Sequence, residues 1–226
     1  VIVRGIRVRV GDNGSPTCCR DGINIGTYYA DSDVYNVIVD HSSISWAIDE
    51  NMSIWTDPAD GYTIHDVSLQ WNIVAEGLHE SIHIDEGASV VDAHSMGLIV
   101  GGGGNNISIH HNLFAHNWGR NPRVEGADRV EIINNLIYGW GNAAVEFSDN
   151  PVQAHLLGNF FKTTEGSSLV EIVRYPSTIL EDKIYIMGNI VDDPRVDINF
   201  FEARHPDFDE SVLFDSEVFS GSNINL

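Results

Sequence analysis

An eight-residue segment that recurs along the chain constrains the fold more than any other feature. Each copy has two apolar residues two positions apart, a polar pair, an Asn (Ser42 in the copy that begins at Val37) and two further apolar residues, as in residues 67–74 (VSLQWNIV). Successive copies begin 30, 40, 23, 24 and 30 residues apart. Such self-similarity is typical of a solenoid in which each copy contributes one coil. The copies begin at Val37, Val67, Ile107, Val130, Ala154 and Ile184.

Each copy predicts short strands, because apolar and polar residues alternate with a period of two and the breaks are rich in Asn and Gly. One coil cannot bury its own apolar face, so the coils must stack into a continuous core. We therefore predict an all-β chain that forms a parallel β-helix, as a single domain over residues 1–226. The pattern also predicts an inserted loop at 75–104 and an irregular acidic segment at 204–226. Since residues 1–3 already have the pattern of a strand, we expect the N-terminal cap of the solenoid to be missing.

The Asn that occupies the same place in each copy has two structural explanations. Asn tolerates the left-handed backbone that a sharp bend between two strands can require. Asn residues in register on successive coils can also join their amides in a hydrogen-bonded ladder. Because either explanation accounts for the pattern, we assign no ligand role to these residues. They are Asn72, Asn112, Asn135, Asn159 and Asn189.

Composition limits the partners and the kinds of site. Asp and Glu total 33 against 12 Lys and Arg, which gives a net charge of −21 at pH 7. Such a chain cannot neutralise a run of phosphates, which excludes a general nucleic-acid-binding function. The acidic surface suggests a salt-adapted source, with an ordinary acidic secreted protein as the alternative. No apolar run reaches about 18 residues, so we predict no membrane span. The only cysteines, Cys18 and Cys19, are adjacent, which excludes a disulfide framework and a Cys-based zinc site.

Two acids about one coil apart are candidate metal ligands. Asp21 lies in residues 20–25 (RDGINI) and Asp49 in residues 45–50 (SWAIDE), so stacking of the coils brings them close. Stacked carboxylates repel each other unless a cation lies between them, and hard oxygen ligands favour Ca²⁺ or Mg²⁺. The alternative is a solvated acidic face.

Basic and imidazole side chains supply further candidates. Arg120 and Arg123 lie within four residues of each other in a chain that has few bases. They fit either bidentate binding of a carboxylate ligand or a structural salt bridge. His110 and His111 are expected to point to opposite faces of one strand, and we interpret both as packing and hydrogen-bonding residues.

Several motifs of the chain resemble those of pectate lyases. Residues 37–41 (VIVDH) resemble the vWiDH motif of that family, and residues 109–112 (IHHN) followed by 120–123 (RNPR) resemble its HHN…RxPR segment. Residues 45–50 (SWAIDE) and 76–78 (EGL) resemble blocks of one bacterial branch. The order and spacing of these motifs agree with the family from residue 1 to residue 138, whereas only the generic repeat supports the match beyond that point.

The resemblance implies a right-handed β-helix that cleaves polygalacturonate by calcium-dependent β-elimination. It identifies Asp21 and Asp49 with calcium ligands, and Arg120 with the base that takes the proton from C5. A second substrate-binding arginine of the family falls at Glu125 here, and Arg123 is expected to replace it. The resemblance also implies a secreted enzyme, and we expect a monomer.

Two departures from the family affect the calcium and substrate sites. Many members have an acid where this chain has Ser45. Either Glu50 or Glu76 is expected to supply the missing ligand, or the calcium affinity is expected to be weaker. Many members also carry a substrate-binding lysine in the segment where this chain has His79 and His83. These two histidines are therefore our candidates for substrate binding.

Three other functions remain open on the sequence alone. The chain could be a non-catalytic β-helix that binds glycans, as an adhesin does, or a lyase that acts on another uronan. A glycoside hydrolase on the same fold would need several aspartates facing one cleft. The adjacent pair Asp192 and Asp193 lies outside the matched region. Arg120 discriminates among these functions, because only a lyase needs it beside calcium.

Overall fold

The computed structural model describes residues 1–27, 32–57, 59, 61–85, 87–148, 151–168, 172–174 and 183–192. The predicted acidic segment at 204–226 lies outside the described residues, as does Asp193. Across the described ranges, no helix is long and apolar enough to cross a membrane.

The described part of the chain forms twenty strands, numbered in chain order, in three parallel sheets. Sheet 1 contains β1 (Ile2–Arg4), β4 (Val34–Asp40), β7 (Ile64–Gln70), β10 (Asn105–His110), β13 (Asp128–Ile133), β16 (Gln153–Leu157) and β19 (Lys183–Met187). Sheet 2 contains β2 (Arg7–Arg9), β5 (Ser43–Ser45), β8 (Ile73–Ala75), β11 (Leu113–Ala115), β14 (Leu136–Tyr138), β17 (Phe160–Lys162) and β20 (Ile190–Asp192). Sheet 3 contains β3 (Ile23–Gly26), β6 (Glu50–Trp55), β9 (Met96–Val100), β12 (Arg123–Glu125), β15 (Val145–Ser148) and β18 (Val173–Arg174).

Every sheet takes every third strand, so one strand from each sheet makes one coil. This arrangement is a right-handed parallel β-helix, and it confirms the predicted fold class. Equivalent apolar residues of the repeat lie in register: Ile107 pairs with Val67 on one side and with Val130 on the other. All three are buried. Burying each such side chain contributes about 1.5–3 kcal/mol, so the alternating pattern produces one continuous core along the coils.

The asparagine ladder is present at the turn between sheets 1 and 2. The side-chain amide of Asn72 donates to Asn112 Oδ1 (3.1 Å), and Asn112 donates in the same way to Asn135 (3.1 Å). The series continues through Asn159 to Asn189 at 3.0 Å per step. Each amide also donates to a backbone carbonyl one coil back, as Asn112 does to Leu69 O. The ladder therefore accounts for the repeated Asn.

The second explanation, a left-handed bend at the Asn itself, is wrong. The left-handed φ angle falls on the residue before each ladder Asn. Trp71 (54°), His111 (55°) and Asn134 (52°) come directly before Asn72, Asn112 and Asn135. In the first copy, His41 (47°) comes directly before Ser42, which occupies the Asn position. The ladder Asn residues themselves are not among the described residues with a positive φ angle.

The same turn corrects the prediction for His110 and His111. Because the backbone of His111 is left-handed, the strand alternation ends there, and the two rings do not point to opposite faces. Their Nδ1 atoms lie 2.9 Å apart. His111 also stacks on the exposed Trp71 of the preceding coil, with ring centroids 4.5 Å apart.

The inserted loop is shorter than the sequence pattern indicated. Strand β9 lies within the predicted range of 75–104 and belongs to sheet 3, so the insertion covers only residues 76–95. Its middle lies against the N-terminal segment, where Thr17 N donates to Ile82 O (3.2 Å) and Ile84 N donates to Thr17 O (3.3 Å). In the same N-terminal segment, Cys18 and Cys19 form a disulfide bond with each other. This bond between sequence neighbours was not predicted.

Candidate active site

A cleft of 1090 Å³ lies on the outer face of sheet 3. Its floor comes from β3, β6 and β9, one wall from residues 18–21, and another from the loop 76–95. Five predicted site residues line the cleft: Asp21, Asp49, Glu50, His83 and Arg120. His94 and Asp85, which were not predicted as site residues, also line it. Coils that are distant in sequence thus bring most of the predicted site residues together.

Asp21 is held at the start of β3. Its Oδ1 accepts a hydrogen bond from the Glu50 backbone N (3.2 Å), and its Oδ2 accepts one from Asn24 (3.3 Å) and a short one from Ser53. Gly22 permits this close approach, because a Cβ at that position would lie 2.4 Å from Asn51 O. Burial raises the pKa of the Asp21 carboxyl, and the nearby charge of Asp49 adds to the rise. The fold therefore places a carboxylate where it gains from a cation.

Asp49 precedes β6 and faces two imidazoles of the inserted loop. Its Oδ1 lies 3.0 Å from His94 Nε2 and 4.0 Å from His83 Nε2. Burial raises the pKa of Asp49, but the contacts with His94 and Glu50 and the charges of the two histidines outweigh burial and lower it to about 2. Asp49 is consequently ionised over the whole neutral range.

Glu50 and Arg120 form a buried ion pair between Oε1 and Nη1. Burial raises the pKa of Glu50 well above its usual value, and the charges of Asp49 and Asp21 add to the effect of burial, against the opposing charge of Arg120. Burial alone lowers the pKa of Arg120, but the surrounding carboxylates, with Glu50 foremost, outweigh it and raise that pKa. In this arrangement Arg120 is a cation among crowded acids.

Arg120 is fixed by its backbone as well as by Glu50. Its φ angle of 56° is left-handed, and its backbone N donates to Glu146 Oε1 (2.9 Å). Glu146 belongs to the next coil, at the centre of a buried stretch of β15. These contacts hold the guanidinium at the wall of the cleft.

The other predicted substrate residues lie at different distances from the cleft. Arg123 does not line the cleft. In sheet 3, however, it pairs with Ile99 and so continues the row of cleft-lining residues formed by Asn24, Ser53 and Ile99. Arg123 is ion-paired with Glu125 at 2.7 Å. The row passes next to Glu146, so it runs along the outer face of sheet 3 beyond the cleft.

The two predicted histidines of the loop differ from each other. His79 is not part of the described lining of the cleft, and its ring stacks on Trp118 at 4.5 Å. His83 lines the cleft but is only 2% exposed, stacked on His94 at 4.0 Å and bonded to Asp92. Direct substrate contact by either residue stays a prediction.

Three further residues of the site had no role assigned from the sequence. His94 lies in the insertion, whose fold no repeat predicts, whereas Ser53 and Glu146 are ordinary strand residues that only the register brings to Asp21 and Arg120. The register signal for Ser53 was available, since it lies 29 residues after Asn24, one coil in this part of the chain.

The carboxylates of Asp21, Asp49 and Glu50 suit a hard divalent cation. Asp49 and Glu50 have ligand atoms within 4.8 Å of each other and of His94, and Asp21 bonds to the backbone of Glu50. Carboxylate oxygens are the ligands that Ca²⁺ prefers. Burial first, and then the charges of neighbouring carboxylates, raise the pKa of Asp21 and of Glu50, so a cation would stabilise their ionised forms. The donor set thus fits calcium.

The chain is similar in sequence to proteins named probable pectate lyase C. The chain is 32% identical over 176 residues to a protein of Aspergillus flavus named probable pectate lyase C, and 33% identical over 177 residues to one of that name from Neosartorya fischeri. The match covers 76% of this chain but only 35% of either relative, so the chain spans about a third of their length. No protein-family model matches the chain. The similarity supports the relationship that the motifs indicated, although it does not bear on the bacterial branch.

Proposed function

We propose that this chain is the catalytic β-helix of a pectate lyase, which cleaves polygalacturonate by calcium-dependent β-elimination to give unsaturated oligogalacturonides. One observation carries the proposal: Arg120 lies in a single cleft with Asp21, Asp49 and Glu50, although Asp21, the neighbours Asp49 and Glu50, and Arg120 come from three separate coils. The similarity to proteins named probable pectate lyase C supports the same function.

In this proposal Asp21, Asp49 and Glu50 hold the calcium ion. Glu50 pairs with Arg120 through Oε1, and its carboxyl also contacts the side chain of Asp49, so both acids would share the cation. Calcium bound there would neutralise the crowded acids, attract the uronate carboxylate of the substrate, and spread the negative charge that develops at C5. A chain with a net charge of −21 can in this way hold a polyanion.

Arg120 is the proposed base. The C5 proton of a uronate is weakly acidic because it lies next to a carboxylate. Arg120 first loses one guanidinium proton to solvent and then takes the proton from C5. The electron pair of the C5–H bond forms the C4–C5 double bond, and the C4–O bond breaks with the glycosidic oxygen protonated by solvent. A guanidinium with a raised pKa is a poor base, since a base works best when its pKa lies near the working pH. The Glu50 pair must therefore loosen on substrate binding, and an alkaline optimum is expected.

Arg123 is the proposed contact for a further uronate of the polymer. It lies in the row of outward side chains that starts in the cleft at Asn24 and Ser53. An extended polysaccharide along this row would pass from Arg120 to Arg123, and Arg174 lies two coils further on. A bidentate arginine positions a carboxylate and so aligns the reacting bond.

Secretion and a monomeric state belong to the same proposal, because pectate is an extracellular polymer that a single cleft can bind. The acidic composition would then suit an enzyme that works in salt.

The ultraviolet absorbance of the product tests this function. Wild-type protein is mixed with polygalacturonate at alkaline pH in salt, with calcium and then with a chelator. We expect absorbance from the C4–C5 double bond to grow with calcium and to stop with the chelator. An increase in absorbance only with a different uronan would show a lyase with another substrate and contradict polygalacturonate as the substrate. Retained polymer binding without product from any uronan would favour the glycan-binding module and contradict the proposal.

A further inference from the structure

The inserted loop contains a second group of side chains with the geometry of a metal site. His83, Asp85, Asp92 and His94 each offer a ligand atom, and these four atoms all lie within 4.8 Å of one another. The two histidines are buried and the two aspartates are exposed, so the group opens to solvent on one side.

The backbone of the loop builds this group before any ligand arrives. Residues 83–85 and 92–94 form two arms that lie side by side, with Asp92 N donating to His83 O (3.2 Å). His94 N donates to His79 O at 3.0 Å, and the bridge between Thr17 and His83 ties one arm to the N-terminal segment. Side chains fixed by their backbone in this way need little ordering when they bind an ion.

The two imidazoles lie together among carboxylates. Their rings stack at 4.0 Å with an angle of 12° between the planes, and His83 Nδ1 lies 2.9 Å from Asp92 Oδ1. His94 Nε2 is buried and lacks an aligned hydrogen bond, although it lies 3.0 Å from Asp49 Oδ1. A divalent ion beside His94 Nε2 would give this buried nitrogen a partner and would offset the charge of the carboxylates around it.

The donor chemistry differs from that of the calcium site. Asp21, Asp49 and Glu50 offer only oxygen, which suits Ca²⁺, whereas two imidazoles and two carboxylates suit a borderline metal ion in four-coordinate geometry. We propose that His83, Asp85, Asp92 and His94 bind a divalent transition-metal ion of the zinc class next to the calcium ion, with His94 at the boundary between the two groups. The zinc-class ion would fasten the loop 76–95 beside the cleft.

Zinc binding can be measured on the chelator-treated protein without any substrate. Calorimetry with ZnCl₂ is carried out in saturating calcium, so that the oxygen-only site does not take up the zinc. Cobalt(II) serves as a spectroscopic probe, because four-coordinate cobalt absorbs far more strongly in the visible range than the hydrated ion. We expect one zinc ion per chain and a four-coordinate cobalt spectrum.

Variants locate the ion. Asp92→Asn changes an exposed side chain and is expected to weaken zinc affinity by about tenfold or more, and Asp85→Asn is expected to act likewise. The matched control is His65→Ala, which removes one member of an exposed His65–Asp66 pair with a 2.8 Å contact elsewhere on the surface. Asp21→Asn is expected to leave zinc binding unchanged. Circular dichroism verifies the fold of each variant.

The absence of zinc binding, or binding that both aspartate variants leave intact, would overturn the site and show that the imidazoles serve only as ionic partners of Asp49 and Asp92. Equal weakening by His65→Ala would also overturn it. None of these outcomes depends on lyase activity, so the proposed function stands or falls separately.

Discussion

The asparagine ladder and the cleft use the same device, equivalent polar residues stacked on successive coils, with opposite results. Ladder amides are neutral and self-complementary, so each new coil adds a donor and an acceptor that match: Asn72, Asn112 and Asn135 are all satisfied and buried. In the cleft the stacked groups are carboxylates. Burial raises the pKa values of Asp21 and Glu50 there, and the charges of neighbouring carboxylates add to the rise.

The difference shows how to recognise function in a solenoid. Stacking a self-complementary group stabilises the fold, whereas stacking a like-charged group is unfavourable unless an outside charge compensates for it. Arg120 supplies part of that charge, and a bound cation would supply the rest. A crowded charged stack on the outer face is therefore evidence of a ligand, and a neutral stack at a turn is evidence of architecture.

The largest effect is expected from Arg120→Ala. Loss of a proton acceptor in the transition state reduces the elimination rate by about 10²- to 10⁴-fold. The melting temperature is expected to change little, because Glu50 takes up a proton when its partner is removed. Initial rates from product absorbance measure the effect, and Arg7→Ala, an exposed arginine of sheet 2, is the control. Activity close to wild type in Arg120→Ala would remove Arg120 from the chemistry.

Asn112→Ala tests the opposite region. The change removes the acceptor of the Asn72 amide and the donor to Leu69 O, and each buried polar group left without a partner costs about 1–3 kcal/mol. We expect the free energy of unfolding to fall by about 3 kcal/mol in urea denaturation, with normal activity below the transition. Asn13→Ala, an exposed asparagine outside the ladder, should change neither. If Asn112→Ala loses activity without losing stability, the two regions are not separate in function.

Asp49→Asn is expected to shift the calcium concentration for half-maximal activity upward by about 100-fold, because it removes a charged ligand and not merely an outer-shell partner. Asp66→Asn, an exposed carboxylate outside the cleft, is the matched control. A calcium titration that Asp49→Asn leaves unchanged would show that the ion binds elsewhere.

The smallest effect concerns pH. The folded-state pKa values of Asp21 and Glu50 are raised above their unfolded-state values of 3.8 and 4.5. Without calcium, the protonated side chains therefore stabilise the fold fully below those values. This contribution to the free energy of unfolding is lost as the pH rises and the two groups ionise. Calcium binds the ionised groups, and its stabilising effect should therefore grow as pH rises from about 4 to about 8. At ten times the dissociation constant the gain is about 1.4 kcal/mol, or roughly 3–6 °C in melting temperature.

Thermal scans with calcium and with chelator across this pH range measure the gain. A gain that is flat with pH would mean that the raised carboxylates do not hold the ion. The low pKa of Asp49, about 2, works in the opposite direction: its stabilising contact is lost only as pH falls from 3.8 through that value.

Much of the fold could be predicted because it repeats. The period of the copies indicated the coils, and the ladder followed from the Asn that recurs at 72, 112 and 135. The position of the left-handed residue could not be predicted, since a bend of one residue has no periodic signal and Trp or His can occupy it. Strand β9 was missed because it lies in an insertion without a repeat copy.

Part of the site could be predicted from spacing and motifs. The distance of about one coil indicated Asp21 and Asp49 as candidate metal ligands, and the resemblance assigned roles to them and to Arg120. The partners Glu146 and His94 had no such signal, because one lies a coil beyond Arg120 and the other in the irregular loop. Long-range register, which a single sequence does not encode locally, decides these contacts.

The masses of the products test the central claim most directly. Purified pectate oligomers are digested by the wild-type protein in calcium, and the fragments are weighed by mass spectrometry. Elimination predicts that every cut gives one ordinary fragment and one that is lighter by a single water, and that Arg120→Ala gives neither. Two fully hydrated fragments would identify a hydrolase and contradict the account.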